Sequence, residues 1–329
     1  MKRYYLIYIL ISLLLVSCNM VSAEKSHTNI PSPVNTPSKI ETKKTDESKI
    51  NEIHGIYISS INNEQIELIK SLKFNTIFLA SPGIRIDKKP YRTDNSALKL
   101  LNRNVKLLNK HNINYFIEFT SGPGFSIDGK NSNIFNNKLE AFYFSKMVKE
   151  AIKRNINNSN FMGISINIRN SDISETIYYE KSLKIIEEIQ KDYPDVKIIL
   201  NLHPLSFENG FKNIPKINNK NLIIKADIYL KSYTYSGYGI SHKTSFTLNR
   251  NTILTSLQRL KNVENDYVKD IIITFNAPFL KDSDVLIQDL FEICRTLNFS
   301  HVITHNTSDN TYNITKNKTI IKIIKRHNL

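Results

Sequence analysis

From His54 onward, short isoleucine-rich runs alternate with longer segments whose apolar residues recur every three to four positions. The runs "HGIYIS" (54–59), "NTIFLA" (75–80), "NYFIEF" (114–119), "MGISINI" (162–168), "VKIILNLH" (196–203), "DIYLKSY" (227–233), "DIIITFNA" (270–277) and "HVITHN" (301–306) predict eight strands. Six of the segments that follow them, from "NEQIELIKSLK" to "DVLIQDLFEIC", have helical period. The fifth connector, "FENGFKNIPKINNK", carries the weakest helical pattern. Strand and helix in strict alternation predict a parallel α/β sheet, and eight such units close into a single (β/α)8 TIM barrel over residues 51–329. The alternative is an open doubly wound sheet. Its glycine-rich phosphate loop is missing, because "IYISSINNEQ" lacks the G-x-G-x-x-G spacing after the first strand. No dinucleotide or other cofactor is therefore expected.

The first 50 residues follow a different pattern. "MKRYYLIYILISLLLVSC" places Lys2 and Arg3 before an apolar run that ends in Leu15-Val16-Ser17-Cys18. It resembles a bacterial lipoprotein signal with its lipobox, which implies cleavage after residue 17 and acylation of Cys18. The apolar run is short for a membrane span. Residues 19–50 are rich in Ser, Thr, Pro, Lys and Glu and poor in large apolar side chains, so they are expected to form a flexible tether. The expected organisation is a signal peptide at 1–17, a lipidated Cys18 and tether at 18–50, and a barrel held on the outer side of a bacterial membrane. The formal charge of +15 favours anionic polymers or lipids as partners. An extracytoplasmic location argues against nucleic acid. Cys294, in "DLFEICRTL", is then without a disulfide partner and is expected to be a buried core thiol.

In a barrel of this kind, functional groups sit at the C-terminal ends of the strands. Read in order, those ends carry Ser59 and Ser60; Ser81; Glu118 and Thr120; Asn167 and Arg169; Asn201 and His203; Tyr229, Lys231, Tyr233 and Tyr235; Asn276; and Thr304, His305 and Asn306. The ring is made of amides, hydroxyls, tyrosines and cations. Glu118 is its one carboxylate, and Asp172 lies just beyond the fourth strand. Tyr offers a sugar both an apolar plate and a hydroxyl, and Trp is absent from the chain. A zinc site from Glu118, His203 and His305 lacks any H-x-H or H-x-x-x-H pair, so no metal is expected.

Two of these stretches resemble glycoside hydrolase family 18, the chitinase-like enzymes. Gly163-Ile164-Ser165-Ile166-Asn167-Ile168-Arg169 looks like the family's fourth-strand motif with every acid replaced. "LKSYTYSG" is similar to the end of the family's sixth strand, with Lys231 at the Met, Tyr233 at the Tyr, Thr234 at the Asp and Gly237 at the Gly. The resemblance implies a barrel that handles glycans. It also places Arg169 at the general acid and Asn167 at the residue that orients the substrate acetamido group. A guanidinium does not release its proton at ordinary pH, so the family's chemistry is not expected to run.

The expectation is a lipid-anchored, glycoside-hydrolase-like barrel that binds a glycan through Asn167, Arg169, Asn201, His203, Lys231, Tyr233, Tyr235 and Asn276. Arg169 and Lys231 favour an anionic glycan. The first alternative is a working glycosidase built on Glu118 with Asp172 or another loop acid, although Asp172 in "NSDIS" also suits a helix cap. The second is a structural or assembly lipoprotein. The tail "KNKTIIKIIKRHNL" is expected to be the eighth barrel helix with a basic outer face, or a strip that touches anionic lipid or polymer.

Overall fold

A computed structural model describes residues 53–328 apart from 82–83, 89–90, 94, 128–129, 133–137, 169–172, 204–205, 208, 218, 230–233, 238–239, 244–248, 268–269, 277–283 and 306–312. The elements run β1 (His54–Ile58), α1 (Asn63–Ser71), β2 (Thr76–Ala80), β3 (Ile84–Lys88), β4 (Tyr91–Thr93), α2 (Asn95–Lys110), β5 (Asn114–Ile127), β6 (Lys130–Ser132), α3 (Lys138–Asn155), β7 (Phe161–Ile168), α4 (Glu175–Gln190) and β8 (Lys197–Asn201). They continue with β9 (Leu222–Tyr229), β10 (Thr234–Gly237), β11 (Ile240–Lys243), α5 (Arg250–Tyr267), β12 (Ile271–Asn276), α6 (Asp284–Leu297), β13 (Ser300–Thr304) and α7 (Lys318–His327). Eight parallel strands pair in the order β2-β1-β13-β12-β9-β8-β7-β5, and β5 pairs back onto β2. The chain is a closed (β/α)8 barrel.

Alternation along the strands sorts the core into two layers. Ile53, Phe78, Phe116, Ile199, Ile223, Ile272 and Val302 form a cluster inside the barrel. The other parity, such as Ile56, Ile117, Ile164, Ile198, Ile224 and Ile273, packs with the helices. Cys294 is buried in that outer layer, as expected for a core thiol. Ile320 and Ile324 of α7 are fully buried there too, so the tail is the eighth barrel helix.

Local sequence sets the helix boundaries. Asn62 and Gln65 form a reciprocal capping box at the start of α1. Three helices end with the same device. Lys73, Asn112 and Asn298 adopt left-handed backbone, and the next residue's N–H bonds back five residues, Phe74 to Ile69, Ile113 to Leu108 and Phe299 to Cys294. The apolar residue then enters the core, and the strand that follows starts in register.

Two expectations need correction. The sixth barrel strand is β9 at Leu222–Tyr229, five residues earlier than expected at its start. The earlier start brings Ile223 and Lys225 onto the strand with Asp227, all three facing the barrel axis. The fifth connector forms turns rather than a helix in its described residues. A buried carboxylate holds it instead. Glu175 in the first turn of α4 accepts hydrogen bonds from Ser206 (2.6 Å), Asn209 (3.1 Å) and Asn213. Short strands also extend the mouth. The far end of β5 pairs with β3 and β6, β4 pairs with β3, and β10 and β11 form a separate antiparallel hairpin.

His301 on β13 faces the helix layer. It stacks on Phe275 at 5.8 Å, meets Phe291 edge-on, and its Nε2 lies 3.2 Å from Asn328 Oδ1 and 3.4 Å from His54 Nδ1. Burial, then the neighbouring His54, pushes its pKa down to about 3. Between that value and the ordinary one near 6.5, the unfolded chain binds a proton that the native ring refuses. Stability therefore rises with pH through this window, with a slope of up to about 1.4 kcal/mol per unit from this group. Urea unfolding between pH 4 and 7 should show the loss on acidification, and His301→Asn should flatten it.

Candidate functional site at the barrel mouth

The interior changes character above the apolar layer. Glu118 on β5 lies one step up from Phe116 and is buried at 1% exposure. Its carboxylate accepts from Ser165 Oγ at 3.0 Å, from Asn167 Nδ2 at 3.1 Å, and from the Lys225 ammonium. Lys225 on β9 is equally buried, at 2% exposure, and its Nζ lies 5.4 Å from the Phe78 ring centre and 5.9 Å from that of Tyr57. Burial alone would raise the Glu118 pKa. The Lys225 charge and the hydrogen bonds from Lys225, Asn167 and Ser165 outweigh it and hold the carboxyl below the usual range.

This arrangement fixes what Glu118 can do. It stays ionised at neutral pH, so it has no proton to give as a general acid. Its oxygens are occupied by three donors, and the pair balances its own charge. Its geometry is that of an anchor that orients Asn167 at the base of the mouth.

Above it, Asn201 at the end of β8 donates to Asp227 Oδ2 on β9 at 3.0 Å. Asn201 is held in turn by Tyr178 of α4, whose hydroxyl donates to its backbone oxygen at 2.8 Å. Asp227 is half-buried, and Thr274 of β12 sits beside it in register. Among the described residues, Asn201 Oδ1 and Thr274 Oγ1, both buried, have no hydrogen-bond partner.

The expected site residues therefore separate. Asn167 and Asn201 come together on the inner wall with Glu118. His203 does not join them. It is buried against α4, with its ring edge-on to Tyr178 at 5.1 Å and its N–H donating to Tyr179 Oη at 3.4 Å. His305 faces the outer layer, where its Nδ1 accepts from Ile314 N at 3.3 Å, so Glu118, His203 and His305 do not converge. Among the described residues no group of three or more His, Cys, Asp or Glu side chains is placed to hold a metal ion. Asn276 ends β12 beside Tyr229, and Tyr235 lies in the β10–β11 hairpin opposite His242. Arg169, Asp172, Lys231 and Tyr233 lie outside the described residues.

Lys225, Asp227 and Thr274 were not among the expected residues. The signal was present in "LIIKADIY", where Ile223-Lys225-Asp227 alternates with Leu222-Ile224-Ala226-Ile228. Asp227 gives the mouth a second carboxylate besides Glu118. The corrected strand also removes the motif-like "LKSYTYSG" from the sixth strand, since β9 ends at Tyr229 and Thr234–Gly237 forms β10.

No protein-family model matches the chain, and no curated protein matches it in sequence. Solved structures do match in fold. The clostridial cellulose synthase subunit Z from Clostridioides difficile is 15% identical over 82% of this chain and 98% of its own, with a TM-score of 0.60. Endoglucanase Cel5A of Pseudomonas stutzeri is 9% identical over 84% and 94%, with a TM-score of 0.65. A family 5 xyloglucanase from Paenibacillus pabuli is 12% identical over 82% and 91%, with a TM-score of 0.59. At these identities the likeness is one of fold, a (β/α)8 barrel; the similar structures named here are a cellulose synthase subunit, an endoglucanase and a family 5 xyloglucanase, none of the family 18 kind that the sequence motifs suggested.

Proposed function

We propose that this protein is a lipid-anchored barrel that binds a glycan at its mouth and does not hydrolyse it by acid catalysis. The observation that carries the reading is the buried Glu118–Lys225 pair. Glycoside cleavage needs a carboxylic acid with a raised pKa beside a second carboxylate, and Glu118 is held ionised and paired. The lining supports binding. Asn167 is held in place from below, Asp227 accepts hydrogen bonds, and the Asn201 oxygen and Thr274 hydroxyl suit the hydroxyls of a pyranose. Endocellulase from Pyrococcus horikoshii, a structure of the same fold, is solved with cellotetraose. Arg169 and Lys231, which follow β7 and β9 in sequence, favour uronate- or phosphate-bearing glycans.

A second reading rests on Asp227. It is half-buried at the mouth, and with Asp172 or another loop acid it would supply the two carboxylates of a glycosidase. A glycan-array screen of residues 51–329, with Asp227→Ala and Arg169→Ala beside the parent, tests the proposal. Binding should appear and weaken by about 1.5–3 kcal/mol in each variant, the scale of a hydrogen bond to a charged group. No binding to any glycan would favour a structural or assembly role.

The anchor is tested separately. Cys18→Ala should abolish incorporation of a fatty-acid probe and release the protein from the membrane fraction. Equal labelling of the variant would rule the lipobox out.

A further inference from the structure

The basic face of α7 is not used by the mouth. Its buried side is Ile320 and Ile324. Lys318, Lys322, Lys325 and Arg326 are all exposed, and at helical spacing they share about 100° of arc opposite those isoleucines. Lys316, one turn earlier, is exposed as well. Ile321 and Ile323 lie at the two margins of the arc, both half-buried. Residues 313–329 contain no carboxylate side chain. None of the five cations has an ion-pair partner among the described residues.

The acids of α6 beside this helix already have partners. On α6, Asp289 and Glu292 hold Arg250 at 2.5 and 3.0 Å, and Asp284 accepts from Asn317 at 3.0 Å. The exposed Arg295 adds to the positive side. A barrel helix needs only its buried stripe. The outer face could carry mixed charge, yet here it carries one sign with apolar margins.

We infer that the outer face of α7 docks on an anionic phospholipid bilayer, as a second membrane contact beside the proposed anchor. Lysines along one face meet lipid phosphates, and each contributes through the negative surface potential. The flanking isoleucines make a bilayer a better fit than a soluble polyanion, because acyl chains reward them. α7 runs for ten residues and is charged along one face, so the contact is with the surface.

The test uses the chain from residue 18 with Cys18→Ala, so that no acyl chain contributes; the barrel closes through strand pairs that all lie after Ile53. Flotation is compared on vesicles of phosphatidylcholine alone and of phosphatidylcholine with phosphatidylglycerol. Binding should require phosphatidylglycerol and disappear in high salt. Changing Lys318, Lys322, Lys325 and Arg326 together to Gln should lower partition by on the order of a thousandfold. As a second readout, Lys322→Cys carrying an environment-sensitive dye should shift to the blue on phosphatidylglycerol vesicles, while the same label at Lys184 on α4 should not. Cys294 is buried and does not compete for the label. Equal binding to both vesicles, full binding by the fourfold variant, or equal shifts at both labels would overturn the inference. So would binding to soluble polyphosphate but not to vesicles. No glycan is present, so the result is independent of what the mouth binds.

Discussion

Lys225→Met should destabilise the barrel by about 3–5 kcal/mol, the usual cost of stranding a buried charge. Glu118 and Lys225 are both almost fully buried, on strands that face each other across the barrel interior. Removing the ammonium leaves a carboxylate with Ser165 and Asn167 as its donors among the described residues. Burial would then outweigh the remaining donors and raise the Glu118 pKa, and the loss of stability would shrink on acidification. In the parent the sign is opposite. The Glu118 pKa is lowered in the fold, so its contribution is present above the ordinary carboxylate range and fades as pH falls through the folded value. The double change Glu118→Leu with Lys225→Met should recover most of the loss, because apolar groups can replace a buried pair without an uncompensated charge. Urea unfolding of the two single variants and the double one measures the coupling directly. A Lys225→Met variant within 1 kcal/mol of the parent, on the scale of an exposed pair, would show that the two charges do not depend on each other.

The second large effect is at Gly163. It lies in β7 with φ +145°, a backbone conformation that side chains rarely adopt. A Cβ there would stand 2.2 Å from the backbone oxygen of Lys197 on β8. That oxygen cannot move aside without breaking the β7–β8 ladder, in which Gly163 pairs with Lys197. The register against β5 also slips at this point, between Tyr115 and Phe116. Gly163→Ala should therefore cost on the order of 2–6 kcal/mol, the sum of local strain and overpacking. Because Ser165 and Asn167 sit just downstream, surviving variants should also lose the orientation of the mouth. A urea midpoint unchanged in Gly163→Ala would contradict this backbone geometry.

Gly163 also shows where a motif in the sequence misleads. It matched the first position of a family 18 motif, but its place in the barrel is explained by a bulge-like step between strands. The strand rhythm itself was easy to read, because apolar strands with helical crossovers leave a strong pattern. Seven of the eight barrel strands were expected close to where they lie. The exception is β9, which starts five residues before the expected Asp227 and so takes in Lys225. A buried lysine becomes plausible only once its partner is known, and Glu118 precedes it by 107 residues. A pair that distant leaves no local trace. The facing of the histidines stayed open for a related reason. A one-residue difference in parity decides whether a side chain faces the axis or the helices, and the strand ends at His203 and His305 did not fix it. The short strands β3, β4, β6, β10 and β11 had no periodic run long enough to register.

On the proposed reading, the mouth binds a glycan and leaves it intact. Calorimetric titration of residues 51–329 with the best glycan from the array, followed by chromatography of the same sample after prolonged incubation, measures both properties at once. Saturable binding is expected, weakened in Asp227→Ala, with the glycan recovered at its original length. Shortened products that accumulate with the parent and vanish in Asp227→Ala or Glu118→Gln would contradict it and establish a working glycosidase.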